Sequence, residues 1–251
     1  MKKLLFNACL LATASASLLF NTAAQASTVS ELENLRETDT ELFDVFNSTV
    51  NIESLALDED TLPELFADSL QWDGISDNID VFFINEGAAY RNQLLYSLNG
   101  GEQVTLFDDI SSTESILKED SGTMLLGDGK SISGLSGDVG IEFFVKADGA
   151  QNSNGNVYGA DAAANADGLQ HLVAREFQQG SDNWVLLGFE DLYGAHYSNG
   201  GNSDRDFNDV VVAVRGVTGN RKDVPEPMTA AGVLLVGALG LAQKRRQLAA
   251  S

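Results

Sequence analysis

Six oxygen-bearing side chains crowd two short stretches of the C-terminal third: Glu190 and Asp191 in WVLLGFEDL, then Asp204, Asp206, Asn208 and Asp209 in SDRDFNDVVVAV. The chemistry they suit is hard-cation binding. Calcium takes about six to eight oxygens and accepts carboxylate, amide and backbone carbonyl oxygen alike. In a loop entering a strand, side chains at i and i+2 can converge on one ion, and the Gly and Asn residues between Gly194 and Gly201 let the connecting loop turn and present its carbonyls. Two like charges at about 4 Å repel by roughly 4 kcal/mol at an effective dielectric near 20. A group of carboxylates without a counter-ion therefore opposes folding unless solvent or raised pKa values relieve it. The spacing is not that of an EF-hand: counted from Asp204, Asp209 stands where the glycine is required and Arg215 where the closing glutamate is required. The same Asp and Asn residues also suit turns and caps, because they bond their own backbone at strand ends, and Arg205 suits an Asp–Arg knot. From the residues alone, calcium and turn chemistry stand side by side. If the segment is extended, Arg205 points to the face opposite Asp204 and Asp206.

Other groupings are weaker. The glycine- and asparagine-rich run 152–168 holds Asp161, Asn165 and Asp167, either a second cation site or a surface loop. Asn85 and Glu86 end the IDVFFI strand and could add oxygens at the same edge. Tyr90, Trp184, Tyr193 and Tyr197 could form a sugar-stacking surface, with core and edge packing as the competing role; Trp72 and Trp184 are expected to anchor the core.

Enzyme chemistry is not expected. His171 and His196 are the only histidines, Cys9 is the only cysteine, and there is no Gly-x-Ser-x-Gly elbow, which removes the usual zinc sets and nucleophile triads. GDGK at 127–130 lacks the phosphate-loop pattern. A pair such as Glu190 with Asp206 could be proposed for glycosidic cleavage, but such pairs need surroundings that drive their pKa values apart.

The elements that must position these groups read as strands. Short β-branched and aromatic runs (IDVFFINEG, Gln93 to Leu98, QVTLFDDI, GTMLLGDGK, SISGL, VGIEFFVKADG, LQHLVAREFQ, WVLLGFEDL and DFNDVVVAVRGV) alternate with Gly, Asn and Asp turn signals, among them Asn99-Gly100-Gly101. The pattern predicts a mainly β fold, a single antiparallel β-sandwich or jelly-roll-like domain over 70–218. Before it, the acidic segment 27–69 offers two short helices, LFDVFNSTV and TLPELFADSL, the second capped by Thr61 with Pro63 and Glu64 in its first turn, or else a loosely attached leader.

The two ends are read as targeting segments flanking that domain. Residues 1–26 carry Lys2 and Lys3, an apolar run from Leu4 to Phe20, and Ala24-Gln25-Ala26, the order of a secretory signal peptide with cleavage before Ser27. Cys9 lies in that leader, so the mature chain holds no disulfide. The apolar span 228–242, followed by the basic tail 244–246, is read as a short membrane-spanning segment, although its fifteen residues reach only about 22 Å of a ~30 Å hydrocarbon core. Setting aside Lys2, Lys3, Lys244, Arg245, Arg246 and Glu226 takes the formal net charge from −22 to near −26 for the stretch 27–223. That surface repels nucleic acid and anionic headgroups and favours cations.

Two resemblances add to this. Val224-Pro225-Glu226-Pro227, the Gly/Ala/Leu-rich span and the Lys-Arg-Arg end, together residues 224–246, resemble the PEP-CTERM sorting signal. It implies an exosortase-type sorting enzyme as partner, the inner membrane during export, and a protein anchored at or released to the surface or matrix of a Gram-negative-type bacterium. VFFINEGAAYRNQLLYSL (81–98), VGIEFFVKADG (139–149), NADGLQHLV (165–173), LLGFEDL (186–192) and SDRDFNDVVVAV (203–214) resemble the bacterial domain of unknown function DUF4114 over about residues 70–216. That resemblance implies an exported β-rich module and supplies no enzymatic activity. The expected function is a cell-surface or matrix structural or adhesive module stabilised by calcium. A carbohydrate-binding module for envelope polysaccharide is the alternative, and a glycan hydrolase a more distant one; a surface protein is the other expected partner.

Overall fold

The computed structural model describes residues 27–50, 62–117, 122–180 and 182–222. The signal-peptide reading, Thr61, the sorting motif and the apolar span 228–242 lie outside the described residues. Among the described residues no helix is long and apolar enough to cross a membrane.

The fold is mainly β and every strand pairing is antiparallel. Its centre is four long apolar strands: β4 (Ile79–Asn85), β10 (Leu172–Gln179), β11 (Asp182–Phe189) and β12 (Val210–Arg215). They belong to a seven-stranded sheet ordered β1-β7-β4-β12-β11-β10-β2, in which β1 is Thr28–Leu32, β2 Glu64–Leu65 and β7 Gly129–Ser133. A four-stranded sheet is ordered β6-β5-β8-β9, from β5 (Gln93–Leu98), β6 (Val104–Phe107), β8 (Ile141–Lys146) and β9 (Val157–Tyr158). A ribbon joins β3 (Gln71–Trp72) to β13 (Val217–Thr218).

Both sheets feed one hydrophobic core. All seven residues of β4 are buried, so that strand is covered on both faces. On one face, helix α2 (Thr40–Ser48, following the one-turn α1, Leu35–Thr38) sets Phe46 5.2 Å from the Trp184 ring and 5.1 Å from Phe177. Strand alternation sends Val185, Leu187 and Phe189 to the other face. In β8, Ile141, Phe143 and Val145 are buried while their neighbours are half-buried. The turn at Asn99-Gly100 has φ of 52° and 67°, the left-handed conformation expected of it.

The acidic N-terminal segment departs from expectation. It supplies the edge strand β1, paired with β7 from Thr28↔Ser133 to Leu32↔Gly129. The helix expected at LFDVFNSTV is α2, with Asp39 accepting from the Leu42 amide at 3.1 Å as its cap. The helix expected at TLPELFADSL does not form. Glu64 and Leu65 instead pair with Arg175 and Ala174 of β10, and only Ala67–Ser69 make a 3-10 turn. The open edge of β10 and the Arg175 guanidinium, 3.2 Å from Glu64, outweigh local helix propensity. GTMLLGDGK is likewise no strand of its own; pairing begins at Gly129, where a Cβ would strike the Phe82 ring.

Trp184 is 2 % exposed and touches both the helix and the sheet. Trp184→Ala is expected to cost about 3–5 kcal/mol of unfolding free energy, measured as a lowered urea midpoint at unchanged slope.

Candidate metal centre

Strands β11 and β12 are neighbours, and Phe189 sits opposite Val210 in their ladder. Glu190 and Asp191 therefore leave β11 where Asn208 and Asp209 enter β12. The Asp209 amide donates to the Phe189 carbonyl at 3.1 Å, and the Asp191 amide donates to Asp209 Oδ2 at 2.7 Å. On the other side of β12 the ladder with β4 shifts register at Val211/Val212, where Ile84 is the extra residue on β4.

Two carboxylate triads result, sharing Glu190. Oxygens of Glu190, Asp191 and Asp209 lie within 4.8 Å of one another, as do those of Glu190, Asp204 and Asp206. The five carboxylates gathered are those expected from the sequence. Except for the half-buried Asp204 they are buried, and Glu190 is 0 % exposed. Asn208 is buried beside them; its amide donates to Asp206 Oδ1 at 3.1 Å, and a Cβ on Gly87 would collide with its side-chain oxygen. Glycine at 87 is what lets the two chains approach.

The loop 203–209 is not extended. Arg205 and Phe207 have φ of 56° and 58°, so the chain coils and alternate acidic residues turn inward. Left-handed backbone at non-glycine residues costs about 1–2 kcal/mol each, a strain that tends to be kept where it positions functional groups. Arg205 is engaged on the far side of this loop. Its guanidinium donates to the Gln170 carbonyl and lies 4.9 Å from the centre of the Phe207 ring.

The turn bonds anticipated for these residues are present, yet they leave oxygens over. Leu192 N donates to Glu190 Oε1 at 3.2 Å, while Glu190 Oε2 and Asp204 Oδ1 are buried with no hydrogen-bond partner among the described residues. Such oxygens cost free energy unless a cation or proton meets them. The Glu190/Asp204/Asp206 triad is thus the better cation seat. The Asp191 side is held by Asn92, whose Nδ2 donates to Asp191 Oδ2 at 2.6 Å.

Proton affinity reflects the crowding. Burial, then the Glu190 and Asp204 charges, push Asp191 up to about 7. Burial and the Asp191 and Glu190 charges raise Asp209 well above the ordinary carboxylate range. Burial raises Glu190 too, Asp204 adding to it and the Ser203 hydroxyl and Arg205 opposing.

The second expected group is spent on its own loop. Asp161 accepts from Ala163 N at 2.9 Å, and Asn165 brackets Gly159 and Leu169. Burial would raise Asp167, but the amides of Gly194 and Leu169 and the His171 ring outweigh it and lower its pKa. His171 links this loop to the centre. Its Nε2 lies 2.9 Å from Asp167 Oδ2 and its Nδ1 2.7 Å from the Glu190 carbonyl, so both ring nitrogens face acceptors. Asn85 does not serve the centre either: it accepts from the Glu86 and Ile116 amides and donates to Asn47. Glu86 is buried, accepts from the Ser112 amide at 3.1 Å, and is pushed up to about 8, chiefly by burial. The supporting roles of Asn92, His171 and Ser203 carried no signal in type or spacing. Trp184 is core, not surface, whereas Tyr90, Tyr193 and Tyr197 are exposed.

Residues 135–217 match the family model described as a domain of unknown function, DUF4114. The match runs from before β8 through β12 and contains all six candidate ligands. It leaves out β4, Glu86 and Asn92, although β4 is hydrogen-bonded to β12 in the same sheet. No curated protein and no solved structure matches the chain.

A pH dependence follows. An unfolded carboxyl titrates near ~4, whereas Asp191 and Glu86 in the fold hold their protons to about 7 and about 8. Between those limits the native chain carries protons that the unfolded chain has lost, so stability falls as pH rises. In chelator, the melting temperature is expected to drop between about pH 5 and pH 8, and calorimetry checks it; a flat or rising profile would contradict the assignment. At the upper pH, Glu190→Gln is expected to melt higher than the parent in chelator, because it removes a buried like charge.

Proposed function

We propose that the protein is an exported β-sandwich module of the cell surface or extracellular matrix, stabilised by calcium, with a structural or adhesive role and no catalysis. The observation that carries this reading is Glu190 Oε2, buried with no hydrogen-bond partner among the described residues, on a carboxylate that gathers with those of Asp204 and Asp206. A hard divalent ion supplies the missing partner for several oxygens at once. Calcium suits the set better than zinc, since the donors are all oxygen. The pair weighed for glycosidic cleavage, Glu190 with Asp206, is buried, which does not favour a hydrolase built on those two carboxyls.

Export rests on the two ends of the sequence and is compatible with the fold. Strand β1 starts at Thr28, so cleavage before Ser27 leaves it whole. The last backbone tie runs from Lys222 N to the Glu64 carbonyl at 2.9 Å, so processing near Val224–Pro227 by an exosortase-type enzyme leaves the sheets intact.

Thermal melts in calcium and in chelator test the reading. Saturation about a hundredfold above Kd is worth about 2.7 kcal/mol, or roughly 5–10 °C for a chain of this size. Asp204→Asn is expected to lose most of that shift while folding in chelator as the parent does. Superimposable melts of the parent with and without calcium would remove the proposal.

A further inference from the structure

Beside the metal centre lies an open cleft of about 210 Å³, lined among others by Tyr90, Asp148, Asn152, Asn154, Asp191 and Tyr193. Two of the three exposed tyrosines, distant in sequence, meet here: Tyr90 is 42 % exposed and Tyr193 54 %. Large exposed hydrophobics are otherwise few among the described residues. The rest of the lining is mostly amide and carboxylate.

The cleft wall is built in advance of any ligand. The loop after β8 is tied by Asn152 N to the Asp148 carbonyl at 2.7 Å, Gly155 N to the Asn152 carbonyl at 3.0 Å, and Ala147 N to the Asn156 carbonyl at 2.9 Å. Asn152 Oδ1 takes the Asn154 amide at 3.0 Å, and Lys146 Nζ binds the Ser153 carbonyl at 2.8 Å. Gly155 is required, since a Cβ there would strike the Ala147 carbonyl. Below, Tyr158 is stacked on His171 at 4.0 Å and its hydroxyl takes Asn156 Nδ2 at 2.9 Å. A wall so braced loses little entropy when it binds.

The lining selects its ligand by elimination. The Asp148 carboxylate disfavours phosphates, sulfates and uronates. The density of amide and carboxylate groups leaves a purely apolar ligand with unsatisfied polar neighbours. What fits is a neutral molecule with hydroxyls for the amides and carboxylates and a C–H face for the phenol rings. The volume is below the ~300–1,000 Å³ of drug-sized sites, which suits one ring of a longer chain. We propose that this cleft binds a pyranose unit of a neutral polysaccharide, with Tyr90 and Tyr193 as its aromatic contacts. This goes beyond the calcium-stabilised role, and the two stand or fall separately.

The test uses the full-length protein in calcium, so that the charge of the neighbouring centre is constant. Affinity electrophoresis through dextran, mannan, galactan and xylan, with alginate and polylysine as charged controls, reads binding directly. Retardation by at least one neutral polymer is expected, and Tyr193→Ala and Tyr90→Ala are each expected to weaken it about tenfold. Both tyrosines are exposed, so the calcium-induced melting shift should be unchanged and reports that the variants are folded. No retardation by any neutral polymer, retardation by polylysine or alginate alone, or neutral binding indifferent to both tyrosines would overturn the cleft assignment. Loss of the calcium shift with saccharide binding retained would instead count against the metal centre and leave the cleft standing.

Discussion

Where β11 ends and β12 begins, the ladder forces Glu190 and Asp191 against Asn208 and Asp209, and the coiled loop 203–209 brings Asp204 and Asp206 onto the same carboxylate. Desolvating one ion costs several kcal/mol even after relaxation, and each close pair adds a few more at protein-like dielectric. Backbone amides answer some of these oxygens: Leu192 for Glu190, Asp191 for Asp209, Asn208 for Asp206. Arg205 faces the Gln170 carbonyl and Phe207, and cannot neutralise five carboxylates. The balance must come from protons or from a cation. At low pH protons suffice; at neutral pH and above, the calcium we propose would supply it.

Much of the remaining structure holds this end of the sheet in place. The clamp of α2 on Trp184 buries the centre of the seven-stranded sheet on one face, and the four-stranded sheet shares the core from the other. His171 bridges Asp167 to the Glu190 carbonyl, fixing the backbone from which Glu190 projects. Asn92 spans from Asp191 to the Asp148 amide, so the carboxylate network and the loop walling the neighbouring cleft share a brace.

The strands that carry the centre could be read from the chain because they are long, β-branched and closed by turn residues; β4, β5, β8 and β12 lie within the runs so identified, while β10 ends one residue after its run and β11 begins two residues before its own. Strand β1 could not. TVSEL is half exposed and owes its conformation to pairing with β7. Glu64 and Leu65 followed the edge of β10 rather than the cap signals around Pro63. At the centre, residue type pointed to the candidate ligands, although the same Asp and Asn residues suited turns as well. It could not give the left-handed backbone at Arg205 and Phe207 that turns them inward. The group at Asp161, Asn165 and Asp167 looked similar by composition, but an asparagine that brackets a loop and an aspartate facing a histidine are satisfied without an ion.

The most direct test of the centre is a crystal structure grown in calcium, with anomalous scattering to identify the ion. An ion bonded to Glu190 Oε2 at about 2.3–2.6 Å, with oxygens of Asp204 and Asp206 in its shell, is the expected result. Glu190 instead protonated and hydrogen-bonded within the protein, with no anomalous peak in this loop under saturating calcium, would contradict it.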